Sequence, residues 1–146
     1  VSVHYSGTLG AVFEACMKEV PAIGFSVRST APDCDFSPYE QTILDIASLA
    51  MKKDFPRDVC LNVNFPIVEK LRGVRVCRLA RGNWVEEWIG ADDADTFRLT
   101  GHFVNLEPEA DDTDDWVLCH GMAAVTPLKL DMTHYPTIPL LKELES

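Results

Sequence analysis

Three small polar residues near the start of the chain, Ser6, Gly7 and Thr8, have the types and the position to bind an anion. They directly precede a segment whose apolar residues recur at helical spacing. These residues are Leu9, Val12, Phe13, Cys16, Met17 and Val20. The start of such a helix presents free backbone N–H groups and the positive end of a dipole, and both favour a phosphate. From the residues alone we favour a simple helix cap at Ser6 or Thr8, because most helices need a cap and few bind phosphate.

Other motifs with a recognised chemistry are missing from the sequence. Residues 24–28 (GFSVR) lack the last glycine of a G-x-S-x-G nucleophile turn. No lysine follows a glycine-rich loop, and there is no H-E-x-x-H pair. Cys119 and His120 are adjacent soft ligands, but we interpret them as a core cysteine beside an exposed histidine rather than a zinc site.

Four aspartates stand close together at Asp111, Asp112, Asp114 and Asp115. They lack the interleaved spacing and the glycine of a calcium loop. We interpret them as the acidic first turn and cap of a helix that begins near Thr113 and ends before Gly121.

The composition is that of an ordinary soluble globular protein, and the length suits one domain. The chain has 146 residues, 47% hydrophobic and 25% charged, and a net charge of −10. This acidity argues against binding to a nucleic-acid duplex, and no apolar stretch reaches the ~20 residues that span a bilayer. Five cysteines without a C-x-x-C pair, and no export signal, predict reduced thiols in the cytoplasm.

The first half of the chain reads as strand, helix and strand. The apolar run 22–27 predicts a strand, and residues 59–65 predict another that is ended by Pro66. Between them, Ser37, Pro38 and Glu40 predict a capping box, followed by an apolar helical face. That face comprises Ile43, Leu44, Ala47, Ala50 and Met51. We expect a βαβ unit with adjacent parallel strands, which is typical of a layered α/β domain.

The second half predicts a short strand, a hairpin and a C-terminal segment. Residues 74–79 can form a strand, and the alternating segment 83–89 with the apolar positions of 97–106 predicts a hairpin arm. Its tryptophans could face a partner subunit or fold back on their own core, and the residues leave both open. A strand at 122–130 follows, and the helix predicted from 137 onward is too short to be stable unless it docks.

The order of these segments resembles one known family. VHYSGTLGAVFEA, VPAIGFS, LNVNFP and TD followed by VTPL are similar, in this order, to the C-terminal part of the SurE family, and the likeness runs from Val3 to about Thr133. These survival proteins are metal-dependent 5′(3′)-nucleotidases. The likeness implies a Rossmann-like three-layer core, truncated at its N-terminal side, with a protruding hairpin arm and a short C-terminal helix.

The resemblance also implies a division of the chain and a site. A single incomplete domain would cover 1–146, with core 1–80, arm 81–107 and C-terminal helix, strand and tail 108–146. Ser6, Gly7 and Thr8 match the family segment beside the metal and phosphate pocket, so capping plus phosphate binding is expected of them. The Mg²⁺ or Mn²⁺ ligands of the family are expected upstream of Val1, so no catalytic residue or metal ligand is assigned here.

Two functions remain open from the sequence. The first is a phosphomonoesterase acting on nucleoside monophosphates, of which this chain alone would be inactive. The second is a non-catalytic assembly module that forms a homodimer or homotetramer through the arm and the C-terminal segment. Asn62 and Asn64 match the family's strand segment, but they could equally satisfy buried backbone groups.

Overall fold

A computed structural model describes residues 2–90 and 95–145. The α-helices are α1 (Gly7–Met17), α2 (Glu40–Ala50), α3 (Asp114–Cys119) and α4 (Ile138–Leu141). The strands are β1 (Ile23–Val27), β2 (Val59–Phe65), β3 (Val74–Val76), β4 (Gly82–Val85), β5 (Trp88–Gly90), β6 (Phe97–Leu99), β7 (His102–Asn105) and β8 (Ala123–Lys129).

The centre of the molecule is a four-stranded mixed sheet of order β1-β2-β8-β3. β1 and β2 are parallel and adjacent, as the βαβ prediction requires, while β8 runs antiparallel to β2 and parallel to β3. Alternate residues of β2 and β8 point to opposite faces. One face packs against α2 and the other against α1 and α3, so the α/β fold with three layers is confirmed.

Helix α1 lies close to the sheet because β1 carries a glycine beneath it. A Cβ atom at Gly24 would lie 3.1 Å from Leu9 Cδ2 and 3.2 Å from Val12 Cγ2. Leu9, Val12 and Cys16 form the buried face of this helix. The predicted face was too long, because the helix ends at Met17 and the side chains of Met17 and Val20 are exposed.

The start of α2 differs from the predicted capping box. A 3₁₀ turn at Ser37–Tyr39 precedes the helix, and Ser37 makes no cap. Instead Asp35 accepts hydrogen bonds from the Ser37 backbone N–H at 2.9 Å and from its hydroxyl at 2.8 Å. An aspartate two residues before a turn competes directly with a serine for this role, so the capping-box prediction is wrong.

The core face of α2 was predicted only in part. Ile46 and Ala50 are buried, whereas Leu44 and Met51 are exposed. Tyr39, just before the helix, is buried against Phe65 and donates its hydroxyl to the Pro66 carbonyl at 2.7 Å. This tyrosine anchors the start of α2 to the end of β2.

The hairpin arm is formed by two short antiparallel ladders, β4 with β7 and β5 with β6. The predicted continuous strand across 83–89 is wrong, because Glu86 has a φ of 54° and interrupts the alternation. Trp88 is 63% exposed, so it does not fold back on the core. Residues 91–94 of the predicted acidic turn lie outside the described residues.

The C-terminal part follows the prediction in outline. Thr113 caps α3, and Gly121 follows that helix with a φ of 74°, which a glycine adopts without strain. The strand predicted at 74–79 is shorter and ends at Val76. The short α4 has no buried residue and leaves Leu140 and Leu141 exposed.

Candidate functional site

An open cleft of about 560 Å³ lies on the α1 and α3 face of the sheet. Its lining comes from the start of α1, the end of β2, the start of α3 and the base of the hairpin arm. Both helix starts therefore meet the same space. In α/β sheets, ligands bind at such crevices beside the carboxyl ends of the strands.

The start of α1 has one cap and two free donors. Ser6 has extended backbone, and its Oγ accepts a hydrogen bond from the Leu9 N–H at 3.2 Å. Its carbonyl accepts from the Gly10 N–H at 2.9 Å. Because the first turn of a helix has no internal acceptors, the N–H groups of Gly7 and Thr8 have no hydrogen-bond partner within residues 2–90 and 95–145. The first turn contains no acidic residue, so its positive end is not neutralised locally.

The predicted cap at Ser6 is thus confirmed, and Ser6 also lines the cleft. Gly7 and Thr8 are exposed beside it. Phosphate binding by Ser6, Gly7 and Thr8 stays a prediction.

Two asparagines of β2 lie along the floor of the cleft. Asn62 is only 7% exposed, and Asn64 is half-buried. Within residues 2–90 and 95–145, neither side-chain amide has a hydrogen-bond partner. The alternative that these amides satisfy buried backbone groups of the described chain is therefore wrong.

The far end of the cleft carries an ion pair that no sequence motif revealed. Arg28 Nη1 lies 3.5 Å from Asp115 Oδ1 and 3.6 Å from Cys119 Sγ. The other Asp115 oxygen accepts from Asn105 Nδ2 at 2.9 Å, which ties the hairpin arm to α3. Asp114 Oδ1 accepts from the backbone N–H groups of Ala80 at 2.8 Å and of Asp115.

The predicted helix start is confirmed with Thr113 as its cap and Asp114 and Asp115 in its first turn, whereas Asp111 and Asp112 form ion pairs that were not predicted. Thr113 is fully buried, and its hydroxyl accepts from the Trp116 N–H at 3.4 Å. Asp112 pairs with Arg78 at 2.8 Å, and Arg78 also pairs with Glu107. The hydrogen bond from Arg78 holds the pKa of Glu107 below its usual range. Asp111 pairs with Arg75 at 3.4 Å.

Cys119 and His120 do not converge on a shared ligand. His120 stacks on Trp116 with ring centroids 3.6 Å apart, and its Nδ1 lies 2.7 Å from the Trp116 carbonyl. Cys119 is exposed, so its interpretation as a core cysteine is wrong. Cys16, Cys60 and Cys77 are buried, and burial raises the pKa of the Cys60 thiol to about 11.

The described residues do not fit a resident divalent cation. Within that part of the chain, no group of three or more histidine, cysteine, aspartate or glutamate side chains could hold a metal ion. The cleft carboxylates of Asp114 and Asp115 already accept hydrogen bonds or pair with Arg28. We therefore derive no chemical step through a metal from these residues.

The base of the hairpin arm forms an apolar wall of the cleft. Trp84 and Phe103 meet edge to face with centroids 6.4 Å apart, and His102 lies beside them. His102 Nδ1 is 3.7 Å from Glu86 Oε2. The cleft thus combines an anion-favouring helix start with an aromatic side, which suits a ligand that carries both a charged group and a flat ring.

The fold and the cleft define an α/β protein with a polar site beside the strand ends. Comparison with known proteins identifies its family. The family model described as survival protein SurE matches residues 1–86, which is more than half of the chain. The chain belongs to the SurE family.

Relatives with high similarity carry the name 5′-nucleotidase SurE. The protein of Bacteroides fragilis is 43% identical over 147 residues, which cover 99% of this chain and 58% of the relative. The protein of Bacteroides thetaiotaomicron is 46% identical over 138 residues, which cover 92% of this chain and 53% of the relative. The chain thus spans little more than half the length of the curated relatives it matches.

A solved structure shows the same fold. The SurE protein from Aquifex aeolicus is 26% identical and superposes with a TM-score of 0.73 over 99% of this chain and 59% of its own. As for membranes, the described segments include no helix that is both long enough and apolar enough to cross a bilayer.

Proposed function

We propose that this chain forms part of a phosphomonoesterase that releases phosphate from nucleoside 5′(3′)-monophosphates. The observation that carries the proposal is the start of α1, which is capped by Ser6 and contributes Ser6 and Leu9 to the lining of the cleft. The names of the relatives, 5′-nucleotidase SurE, support the same reaction class. In this proposal Ser6, Gly7 and Thr8 bind the substrate phosphate.

The role of these residues is to bind and orient the phosphate. The N–H groups of Gly7 and Thr8 donate to phosphate oxygens, and the dipole of α1 adds a favourable field. A local device of this kind is needed because the whole chain carries a net charge of −10 and repels anions. The aromatic wall at Trp84 and Phe103 offers a surface for a nucleobase.

The test measures phosphate release from nucleoside monophosphates by the complete gene product with Mg²⁺ or Mn²⁺. Ser6→Ala removes the cap and should cost about 1 kcal/mol of stability. If Ser6 also orients phosphate, kcat/KM should fall by 10-fold or more, which is beyond any effect of a small stability loss. Full activity with a lower melting temperature would make Ser6 a cap only.

Thr8→Ala separates the two roles further, because Thr8 makes no cap in this structure. The backbone N–H of residue 8 stays in place in this variant, so it removes only a contact of the Thr8 hydroxyl with the phosphate. We expect the melting temperature to stay within about 2 °C while the substrate affinity falls. Activity of both variants equal to that of the unmodified protein would show that neither side chain contacts the phosphate.

The divalent cation, Mg²⁺ or Mn²⁺, is part of the proposal through the family alone. Such an ion, held by residues outside those described, would supply positive charge that offsets the charge of the phosphate. That the purified 146-residue chain turns over no nucleotide also stays a prediction, which a phosphate-release assay on that chain tests.

A second candidate function, assembly through the arm and the C-terminal segment, has its own observation. Trp88, Phe97 and Leu99 on the arm are 63–70% exposed. Leu140 and Leu144 of the tail are more exposed still. Apolar side chains of this size are commonly covered by a partner. A homodimer or homotetramer should appear in light scattering at micromolar concentration, and a monomer would remove this support.

The division into core 1–80, arm 81–107 and C-terminal part 108–146 of one domain is also proposed. Limited proteolysis tests it, because cleavage should concentrate within the arm. A cytoplasmic location completes the proposal, supported by five free thiols. That neither a nucleic-acid duplex nor a membrane is a partner stays a prediction from the net charge of −10 and the lack of a long apolar stretch in the sequence.

A further inference from the structure

Asn62 is a buried polar side chain without a partner in the described residues. The residue is 7% exposed, yet its amide makes no hydrogen bond within residues 2–90 and 95–145. In that same part of the chain, every side-chain nitrogen or oxygen that is fully shut from solvent has a partner. The amide of Asn62 must therefore be the part of the residue that opens on the cleft, which it lines.

The sheet register places Asn62 beside the first turn of α1. Asn62 pairs with Gly24 on β1, and a Cβ atom on that glycine would lie 3.4 Å from Thr8 Cγ2 and 3.1 Å from Leu9 Cδ2. The absence of a side chain at Gly24 lets the first turn of α1 approach the strand next to Asn62. The first turn of α1, through Ser6 and Leu9, and Asn62 thus line the same cleft.

The charges of the cleft are separated in a way that suits an anion at this end. The α3 end carries the carboxylates of Asp114 and Asp115, one of which is paired with Arg28. The α1 end has no acidic residue in its first turn. The Asn62 amide opens on this space and has no hydrogen-bond partner among the described residues, so both of its N–H donors are available to a ligand there.

We propose that Asn62 donates its side-chain N–H groups to an oxygen of the substrate phosphate, together with the N–H groups of Gly7 and Thr8. The inference rests on the proposed phosphomonoesterase function and adds to it a binding residue on β2. A neutral amide supplies two donors without a charge, and from β2 it orients a tetrahedral oxyanion bound at the start of α1.

The test uses the 146-residue chain and inorganic phosphate followed by nuclear magnetic resonance. We expect saturating phosphate to shift the backbone N–H signals of Gly7 and Thr8 and the side-chain NH₂ signals of Asn62. Asn62→Asp keeps the size of the side chain but places a negative charge against the anion. It should weaken phosphate binding at least 10-fold.

Thr126→Val is the matched control. Thr126 is the register partner of Asn62 on β8, is 3% exposed, and has its hydroxyl 3.6 Å from Cys77 Sγ. The Thr126→Val substitution removes a buried hydroxyl next to Asn62 and does not alter a residue that lines the cleft. We expect the phosphate affinity of this variant to stay within twofold of the unmodified chain.

The outcomes separate this inference from the proposed function. Shifts at Gly7 and Thr8 without a shift at Asn62, or unchanged affinity in Asn62→Asp, overturn the role of Asn62 and leave the reaction class standing. No shift at any of the three residues also overturns it. The reaction class is judged separately by the activity of the complete gene product. If Asn62→Asp does not fold, the titration of the unmodified chain decides alone.

Discussion

Replacing Gly24 with alanine tests whether the close approach of α1 to the sheet is real. The added Cβ would meet Leu9 Cδ2 at 3.1 Å and Val12 Cγ2 at 3.2 Å, where ordinary contacts lie at 3.4–4 Å. Leu9 and Val12 are buried, and the branched Val12 has few rotamers to escape to. Helix α1 must therefore move away from β1 by a few tenths of an ångström.

The expected magnitude is the difference of two effects. Overpacking a filled core costs about 1–3 kcal/mol. Exchanging a strand glycine for alanine gains about 0.5–1 kcal/mol, because glycine loses more backbone freedom on folding. We expect a net loss of about 1 kcal/mol and a fall in melting temperature of roughly 3–5 °C for a chain of this size.

Gly10→Ala is the matched control for this experiment. Gly10 lies within α1, and a Cβ there would have nothing within 4 Å. The same chemical change should stabilise the chain by about 0.5–1 kcal/mol, because alanine favours a helix interior over glycine. Thermal and urea unfolding followed by circular dichroism measure both variants. If Gly24→Ala is as stable as the unmodified chain, or moves in the same direction as Gly10→Ala, the packing argument is refuted.

Two further predictions concern stability alone. Thr113→Ala removes the N-cap of α3 and the bond to the Ala110 carbonyl at 2.9 Å, and should cost about 2 kcal/mol in urea unfolding, whereas Thr113→Ser should cost less than half as much. Burial raises the pKa of the Cys60 thiol from 9.0 to about 11. The contribution of this neutral thiol to the free energy of unfolding is therefore fully present below pH 9 and is lost as the pH rises through 11. The loss amounts to at most about 3 kcal/mol. The free energy of unfolding of Cys60→Ala, measured between pH 9 and 11, should not show this fall, and an equal fall in both proteins would contradict the assignment.

The sequence by itself determined the elements with strong local signals. Helical spacing and a capping serine predicted α1, and an apolar run ended by Pro66 predicted β2. The cap at Thr113, the acidic first turn and Gly121 predicted α3. The βαβ arrangement of β1 and β2 followed from the length of the connection, since parallel strands need a crossover. These features depend on neighbours in the chain, so they can be read from it.

The capping of α2 and the bounds of the hairpin could not be read in this way. Asp35 and Ser37 are both good acceptors for a free backbone N–H group. In the folded chain the acceptor is Asp35, which binds the N–H of Ser37. The left-handed backbone at Glu86 has no glycine to announce it, so the break in the strand was missed. In both cases two local solutions are close in energy, and the surrounding structure selects one.

The candidate site contains both residues that the sequence revealed and residues that only the tertiary structure brought together. Ser6 was visible in the sequence because a cap leaves a local pattern, whereas Arg28, Asn62 and Asp115 come from three separate elements and share no motif. Sheet register and the packing of α1 over Gly24 bring them to one cleft. Contacts between residues far apart in the chain depend on how layers pack, and that is decided by the tertiary structure rather than by local spacing.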